Sequence, residues 1–428
     1  MRAEETTTAT PSAPPAPAGR FSSNVRWTLL GTAANSLCTW LLIVILARTS
    51  GAAAVGDYAL ALALTAPIMA FAGLQIRTLV ASDPTRQYAF REYLRVSYLG
   101  VGLGILACFA FSLVVGDGHG DWVVLGAVVA MRAADAMAEV YFGLWQQHER
   151  MSVIGIGRVI QAVVSIALVV VAGAMGAGSV GAALAGAAGS IVLMGYLQQV
   201  TRRDAAIAAD AAPGPTPWPR LRALVLQGVP LGLIVLLGAL QYNVPRYFIE
   251  LHAGKAALGL FAAAGQLTTS GNILVGALGA AALPRLAATG RTGYAAFRTL
   301  TLKLCLTGAG LGVAGVAVSA LIGRQVLSLL YRPEFGEAAP VLVVLSIGAG
   351  FGFVASFLGY ALTATRVIAI QPILLIATLG VMVGFCALLV PGSGALGAAW
   401  ALVWGSVVQM LGSVLVLRRA RPIGGEAP

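Results

Sequence analysis

The stretch Trp27-Thr-Leu-Leu-Gly-Thr-Ala-Ala-Asn-Ser-Leu-Cys-Thr-Trp-Leu-Leu-Ile-Val-Ile-Leu46 runs for twenty residues without a charge. At about 1.5 Å of rise per residue, a helix of that length covers the roughly 30 Å hydrocarbon core of a bilayer. Eleven similar stretches follow: Tyr58–Ile76, Val96–Val115, Trp122–Leu144, Val153–Ala172, Val180–Val200, Ala223–Leu240, Ala256–Leu283, Leu300–Ile322, Pro340–Leu362, Val367–Leu389 and Leu396–Leu417. Lipid offers no partner to an unpaired backbone group, so each stretch reads as a membrane-spanning helix. The fold class is therefore all-α integral membrane, with about twelve transmembrane helices and almost nothing outside the bilayer.

Composition leads to the same class. Hydrophobic residues make up 58% and charged residues 10%, against about 25% charged in an average soluble domain. The net charge of +11 comes from 25 Arg and two Lys, Lys255 and Lys303. With both termini cytoplasmic, 20 of the 27 basic residues fall on the inner side and 5 on the outer, while Arg132 and Arg158 lie within spans. That asymmetry is the positive-inside signature. The excess charge reports orientation, and no nucleic-acid partner is expected. Abundant Arg, Ala and Gly point to a high-GC bacterial source.

The tail Met1–Gly19 is rich in Thr, Ala and Pro and predicts disorder. The first span is too long for a cleaved signal peptide and is expected to be retained. Cys38, Cys108, Cys305 and Cys386 fall in four different spans and read as small hydrophobes rather than as disulfides or metal ligands.

The chain also repeats itself. Gly51-Ala-Ala-Ala-Val-Gly56-Asp57-Tyr58-Ala59 after the first span is echoed by Gly254-Lys-Ala-Ala-Leu-Gly259-Leu260-Phe261-Ala262 after the seventh, at a constant offset of 203. Both copies occupy the outer turn that opens a six-helix unit, and transporters are commonly built from such repeats. Between the units, Thr201–Arg222 carries Pro213, Pro215, Pro217 and Pro219 and reads as a linker. The expected organisation is a cytoplasmic tail over 1–21, an N-lobe with helices 1–6 over 22–200, a cytoplasmic linker over 201–222, a C-lobe with helices 7–12 over 223–418, and a cytoplasmic tail over 419–428. The two six-helix lobes surround a central cavity.

At this point the motifs resemble those of a known family. Leu46-Ala-Arg48 with Gly51 and Gly56-Asp57-Tyr58-Ala-Leu-Ala is one such motif. Others are Gly228-Val-Pro230-Leu-Gly232, Asn243-Val-Pro245-Arg246-Tyr247, Leu283-Pro284-Arg285-Leu286-Ala287 and Leu330-Tyr331-Arg332-Pro333-Glu334-Phe335. Together they are similar to the polysaccharide-biosynthesis (O-antigen and oligosaccharide-lipid) flippases of the multidrug/oligosaccharidyl-lipid/polysaccharide exporter superfamily, from about residue 22 to residue 418. The resemblance implies alternating access and movement of an undecaprenyl-diphosphate-linked oligosaccharide from the inner to the outer leaflet of the bacterial plasma membrane. Its implied partners are that lipid-linked oligosaccharide, the membrane, a polysaccharide polymerase and glycosyltransferases. No cofactor is implied. Lipid II flippases of this superfamily use carboxylates in the seventh and eleventh spans for sodium; neither span interior here holds an Asp or Glu.

Charges within spans are the first functional candidates, because placing one at the bilayer centre costs roughly 2.5–3.5 kcal/mol. Arg132, Asp135 and Glu139 share one face of the fourth span, and Arg158 lies about two turns into the fifth. On the functional reading the arginines meet a diphosphate, while Asp135 and Glu139 are proton-coupling candidates. On the packing reading Arg132 simply pairs with Asp135, and Arg158 snorkels to the interface. In the first span Asn24, Thr28, Thr32, Asn35, Ser36 and Thr39 form a stripe that serves either as interhelical glue or as a cavity wall. Asn35 and Thr39 are the substrate-binding candidates within it. Gln241, Asn243, Arg246 and Glu250 cluster near Pro245, and Asn243 and Arg246 complete the substrate-binding set. Pro67, Pro230 and Pro372 are candidate kinks.

Several chemistries are excluded. Gly254 to Gly259 has Walker spacing, but Leu260 stands where Lys is required. There is no G-x-S-x-G, and His148-Glu149 lacks the second His of a zinc motif. Two alternatives to the flippase remain: a drug or cation antiporter, which favours an acidic, aromatic-lined cavity, and a polytopic lipid-dependent glycosyltransferase or polymerase, which needs large outer loops.

Overall fold

The computed structural model describes residues 18–83, 86–115, 122–205, 207, 214–365, 367 and 370–419. Most of the N-terminal tail, Pro213, Arg366 and Arg421 lie outside that set. Among the described residues ten α-helices are placed, in chain order: α1 (Ala18–Ala72), α2 (Ile76–Ala81), α3 (Phe90–Val115), α4 (Trp122–Gln147), α5 (Met151–Ala174), α6 (Gly178–Arg203), α7 (Trp218–Thr292), α8 (Tyr294–Leu330), α9 (Ala339–Ala364) and α10 (Gln371–Arg419). A short 3₁₀ helix, Pro333–Ala338, joins α8 to α9. Eight helices among the described residues are long and apolar enough to cross a membrane. α4 is not one of them, because Arg132, Asp135 and Glu139 place three charges in its middle.

Three helices each supply two spans. α1 breaks at Gly51, α7 at Gly254 and α10 at Gly394, all at positive φ. A side chain is strained there, so glycine is the residue that allows the break. The breaks reverse the chain. Asn35 and Arg77 both reach the same salt-bridge cluster around Glu139, whereas a straight helix would hold them roughly 60 Å apart. In α10, Gly412 packs on Leu374 and Gly405 on Met382. The prolines behave differently. The backbone stays helical at Pro67 and Pro230, and Pro372 sits in the first turn of α10, where no helix hydrogen bond is lost.

The repeat seen in the sequence has a structural counterpart. Gly51 (φ 81°, ψ −175°) and Gly254 (φ 76°, ψ 178°) adopt one backbone conformation. Five residues on, Gly56 and Gly259 meet across the lobe boundary. A Cβ on Gly56 would overlap the Lys255 carbonyl, and a Cβ on Gly259 would overlap that of Ala52.

Packing is uneven from one membrane face to the other. One core cluster joins the lobes: Leu42, Leu46, Val55 and Tyr58 of α1 pack with Ile249, Leu258 and Phe261 of α7, Leu327 of α8 and Met382 of α10. This cluster lies around the breaks at Gly51 and Gly254. Toward the other face, where the linker runs, the lobes have separate cores. The N-lobe packs around Phe142, Trp145 and Leu197, and the C-lobe around Leu286, Phe297 and Ala361. The lobes thus share one core on what we call the far face and keep separate cores toward the linker face, where the start of α7 is what crosses to the N-lobe among the described residues.

On the linker face, α7 starts against the N-lobe. Leu221 and Leu224 are buried in the N-lobe cluster, and Arg220 pairs with the buried Glu92 at 2.9 Å. Arg95 donates to Thr216 and to the Gly214 carbonyl. Nearby Tyr93 donates to Asp83 at 3.1 Å.

Candidate functional site

A cavity of about 450 Å³ opens between α1, α2, α4, α5 and α6, with Val235 of α7 as the single contribution from the C-lobe. Asn35, Thr39, Arg132, Asp135, Glu139 and Arg158, six of the eight candidate residues, line it. They converge because three helices present their polar faces to one space: α1 with Asn35 and Thr39, α4 with its i, i+3, i+7 charges, and α5 with Arg158 and Gln161. Close approach of α1 and α5 is possible because Gly31 and Gly155 face each other; a Cβ on Gly31 would sit 3.1 Å from the Gly155 Cα.

Most of the charges in this space have partners. Glu139 accepts from Arg158 Nη2 at 2.7 Å and from Arg77 Nη1 at 2.9 Å. Arg158 also donates to Gln161 Oε1 at 2.9 Å and to Asn35 Oδ1 at 3.3 Å, and its guanidinium lies 4.7 Å from the centroid of the Phe142 ring. Its side chain is only 17% exposed, so Arg158 turns into the bundle and does not snorkel. Asp135 accepts from Gln161 Nε2 at 2.9 Å, and the same amide donates to Ser190 at 2.9 Å.

Arg132 is different. It has neither an ion pair nor a hydrogen bond among the described residues, and its Nε is buried without a partner. The Arg132–Asp135 pair of the packing reading does not form. Arg246 and Asn243 stand outside the cavity lining. Asn243 donates to the Ala239 carbonyl at 2.7 Å, and Arg246 reaches Asn243 Oδ1 at 3.4 Å. The Arg246 Nε is also buried without a partner, and Arg246 lies within electrostatic reach of Arg132. Two guanidiniums, one from each lobe, therefore repel one another. Within the lining, three arginines face two carboxylates, leaving one positive charge in excess.

Of the α1 stripe, only Asn35 and Thr39 reach the cavity. Thr28 and Thr32 bond back to the carbonyls of Asn24 and Thr28 at 2.9 Å each. Arg77 lies just past the end of the second apolar stretch, Tyr58–Ile76, yet it lines the cavity. The chain turns at Gly73–Gln75, where Leu74 and Gln75 hold φ of 45° and 51°, and α2 then carries Arg77 back toward Glu139. Two adjacent non-glycine residues in the left-handed region store strain of order 1–3 kcal/mol each. Gln161 and Ser190 are further lining residues that the sequence did not single out, and Tyr58 of the repeat lines the cavity as well.

The triad predicts that Glu139 matters to the fold as well as to the cavity. Glu139→Ala leaves Arg77 and Arg158 facing each other unpaired. Breaking a fully buried pair costs about 3–5 kcal/mol; with 37% of the Glu139 side chain exposed, roughly 1–3 kcal/mol is expected. The corresponding measurement is the thermal midpoint of purified protein in detergent, which should fall for Glu139→Ala and recover when Arg77→Ala is added. An unchanged midpoint would show the triad to be energetically silent.

Residues 21–289 match the family model described as polysaccharide biosynthesis protein, which covers more than half of the chain. The chain is similar to capsular polysaccharide biosynthesis protein CapF of Staphylococcus aureus, with 25% identity over 396 residues, 91% of this chain and 97% of that protein. Its fold is similar to an inward-facing multidrug resistance MATE family transporter of the MOP superfamily, with a TM-score of 0.75, 18% identity, and coverage of 90% of this chain and 94% of that one. It is also similar to the lipid II flippase MurJ in its inward closed conformation, with a TM-score of 0.74, 9% identity, and coverage of 92% and 87%. The chain is a multi-pass membrane protein of the polysaccharide biosynthesis protein family.

Proposed function

We propose that this protein is a flippase that carries an undecaprenyl-diphosphate-linked oligosaccharide from the inner to the outer leaflet of the bacterial plasma membrane by alternating access. The observation that carries the reading is the unpartnered Arg132 in a cavity whose other charges are all satisfied. A guanidinium left open in a confined, low-dielectric space favours an anionic group with several acceptor oxygens, such as a diphosphate. Arg246 supplies a second guanidinium from the opposite lobe as the lobes close on the head group. Asn35 and Thr39 offer hydrogen bonds to sugar hydroxyls, Asn243 orients Arg246, and Arg158 is held ready by Glu139. The positive surplus disfavours a cation antiporter, whose cargo would be repelled. A polymerase and glycosyltransferases are the partners this role requires.

For proton coupling, Asp135 is the better placed candidate. Gln161 is its one hydrogen-bond partner among the described residues, whereas both oxygens of Glu139 are taken by guanidiniums. Asp135→Asn should therefore slow transport driven by a proton gradient more than Glu139→Gln.

The linker face is cytoplasmic on this reading, as the distribution of basic residues requires. Reporter fusions after Pro428 and within Asp210–Pro219 should both report the cytoplasm, and a periplasmic signal from either would overturn the orientation. Transport itself is tested in proteoliposomes with a fluorescent polyprenyl-diphosphate oligosaccharide whose exposure is followed by membrane-impermeant quenching. Protein-dependent flipping is expected. Equal rates in protein-free liposomes would sink the proposal.

A further inference from the structure

The break at Gly51 leaves backbone groups without helical partners: carbonyls just before it and N–H groups just after it. The C-lobe satisfies them. Arg332 donates through Nε to the Arg48 carbonyl at 2.9 Å and through Nη2 to the Thr49 carbonyl at 3.1 Å. Glu334 Oε1 accepts from the Ala52 N–H at 3.1 Å. The exchange runs both ways, because α8 ends at Leu330 and frees its own last carbonyls. Arg48 donates to that of Leu330 at 2.8 Å and to that of Leu329. Beside these caps, Lys255 Nζ meets Asp57 Oδ1 at 2.6 Å across the Gly56–Gly259 contact. All five charged residues lie on the far face, and none lines the cavity.

We propose that Arg48, Arg332 and Glu334 form a latch that holds the far face shut by cross-capping broken helix ends, with Asp57–Lys255 as its second contact. Each bond exists only while the lobes touch on that face. The latch therefore stabilises one state of an alternating-access cycle and must be exchanged for water in the other. Removing a partner shifts the population toward the far-face-open state by the differential energy lost, about tenfold for one hydrogen bond to a charged group. The inference holds whatever the cargo, and rests on the functional reading only in taking the far face as the outer one.

The test uses the full chain with Cys38, which lines the cavity, as its single cysteine, after Cys108→Ala, Cys305→Ala and Cys386→Ala. A membrane-impermeant maleimide is applied to intact cells and, separately, to inside-out vesicles. The parent should label readily in vesicles and at least about tenfold more slowly in cells. Arg332→Ala and Glu334→Ala should each raise the rate in cells about tenfold and lower it in vesicles, while Glu334→Gln, which keeps an acceptor oxygen, stays closer to the parent. Asp57→Lys and Lys255→Asp should each raise the rate in cells, and the double charge swap should bring it back. Unchanged labelling in cells for Arg332→Ala and Glu334→Ala, with labelling in vesicles retained, overturns the latch. So does a charge swap that stays at the level of the single variants, a comparison that controls for damage to the fold. If the parent instead labels faster in cells, the orientation reading fails; the latch is then read from the variants on the opposite face.

Discussion

Arg132→Ala is expected to insert and fold normally yet lose flipping by about one to two orders of magnitude. A charge-assisted hydrogen bond contributes about 1.5–3 kcal/mol, and each 1.36 kcal/mol is a factor of about ten. The loss should be confined to transport, because Arg132 holds no partner whose abandonment would destabilise the bundle. Arg132→Lys should recover only part of the rate, since an ammonium lacks the planar fork that grips two phosphate oxygens. Asp135→Asn separates this role from packing: Asp135 bonds to Gln161 rather than to Arg132, so the two variants should not behave as a broken pair. The readout is the initial flipping rate per reconstituted molecule. Full activity of Arg132→Ala, or loss of folded protein instead of activity, would refute the anion-binding role.

The second large effect concerns the glycines at the lobe boundary. Gly56→Ala and Gly259→Ala each place a methyl group on a backbone carbonyl of the opposite lobe. No side-chain rotation relieves such an overlap, so the sealed far face must separate. Overpacking costs about 1–3 kcal/mol even in side-chain cores, and backbone against backbone sits at the upper end of that range. The closed state should lose about a hundredfold in population and transport should stall, with the two substitutions nearly equal because the contact is reciprocal. Gly126→Ala is the control: a Cβ there meets nothing within 4 Å, and transport should be unaffected. Normal transport by both boundary variants would mean that this contact does not form during the cycle.

The fold was legible in the sequence for a simple reason. Membrane insertion demands long apolar segments, and these leave a strong linear signal. The repeat was legible because Gly51 and Gly254 are required by local backbone conformation. Arg132 stood out because charge is rare in a span. The partnerships were not legible. Glu139 is bridged by Arg158 and by Arg77, and Arg77 lies beyond the apparent end of the second span. Only the left-handed turn at Leu74–Gln75 brings it back, and neither residue type advertises such a turn. The prolines and glycines differ: the backbone stays helical at Pro67 and Pro230, whereas glycine at positive φ reverses the chain. Arg332 and Glu334 read as loop charges because their partners are backbone atoms, which carry no identity in a sequence.

One helix belongs to both bundles. α7 is rooted at its start in the N-lobe, with Leu221 and Leu224 among Trp145 and Leu197, and it meets the boundary at its middle through Ile249 and Leu258. Mechanically it is a cantilever, clamped at one end and loaded further along. Its compliant section falls at Gly228-Val-Pro230-Leu-Gly232, where Pro230 gives no N–H to the preceding turn and the glycines pack closely against Leu74 and Phe71. The gap between the bundles on the linker face is then governed by the curvature of these few residues. Stiffening them should act as a size filter, turning away bulky head groups while leaving the affinity of the arginines for a small diphosphate untouched.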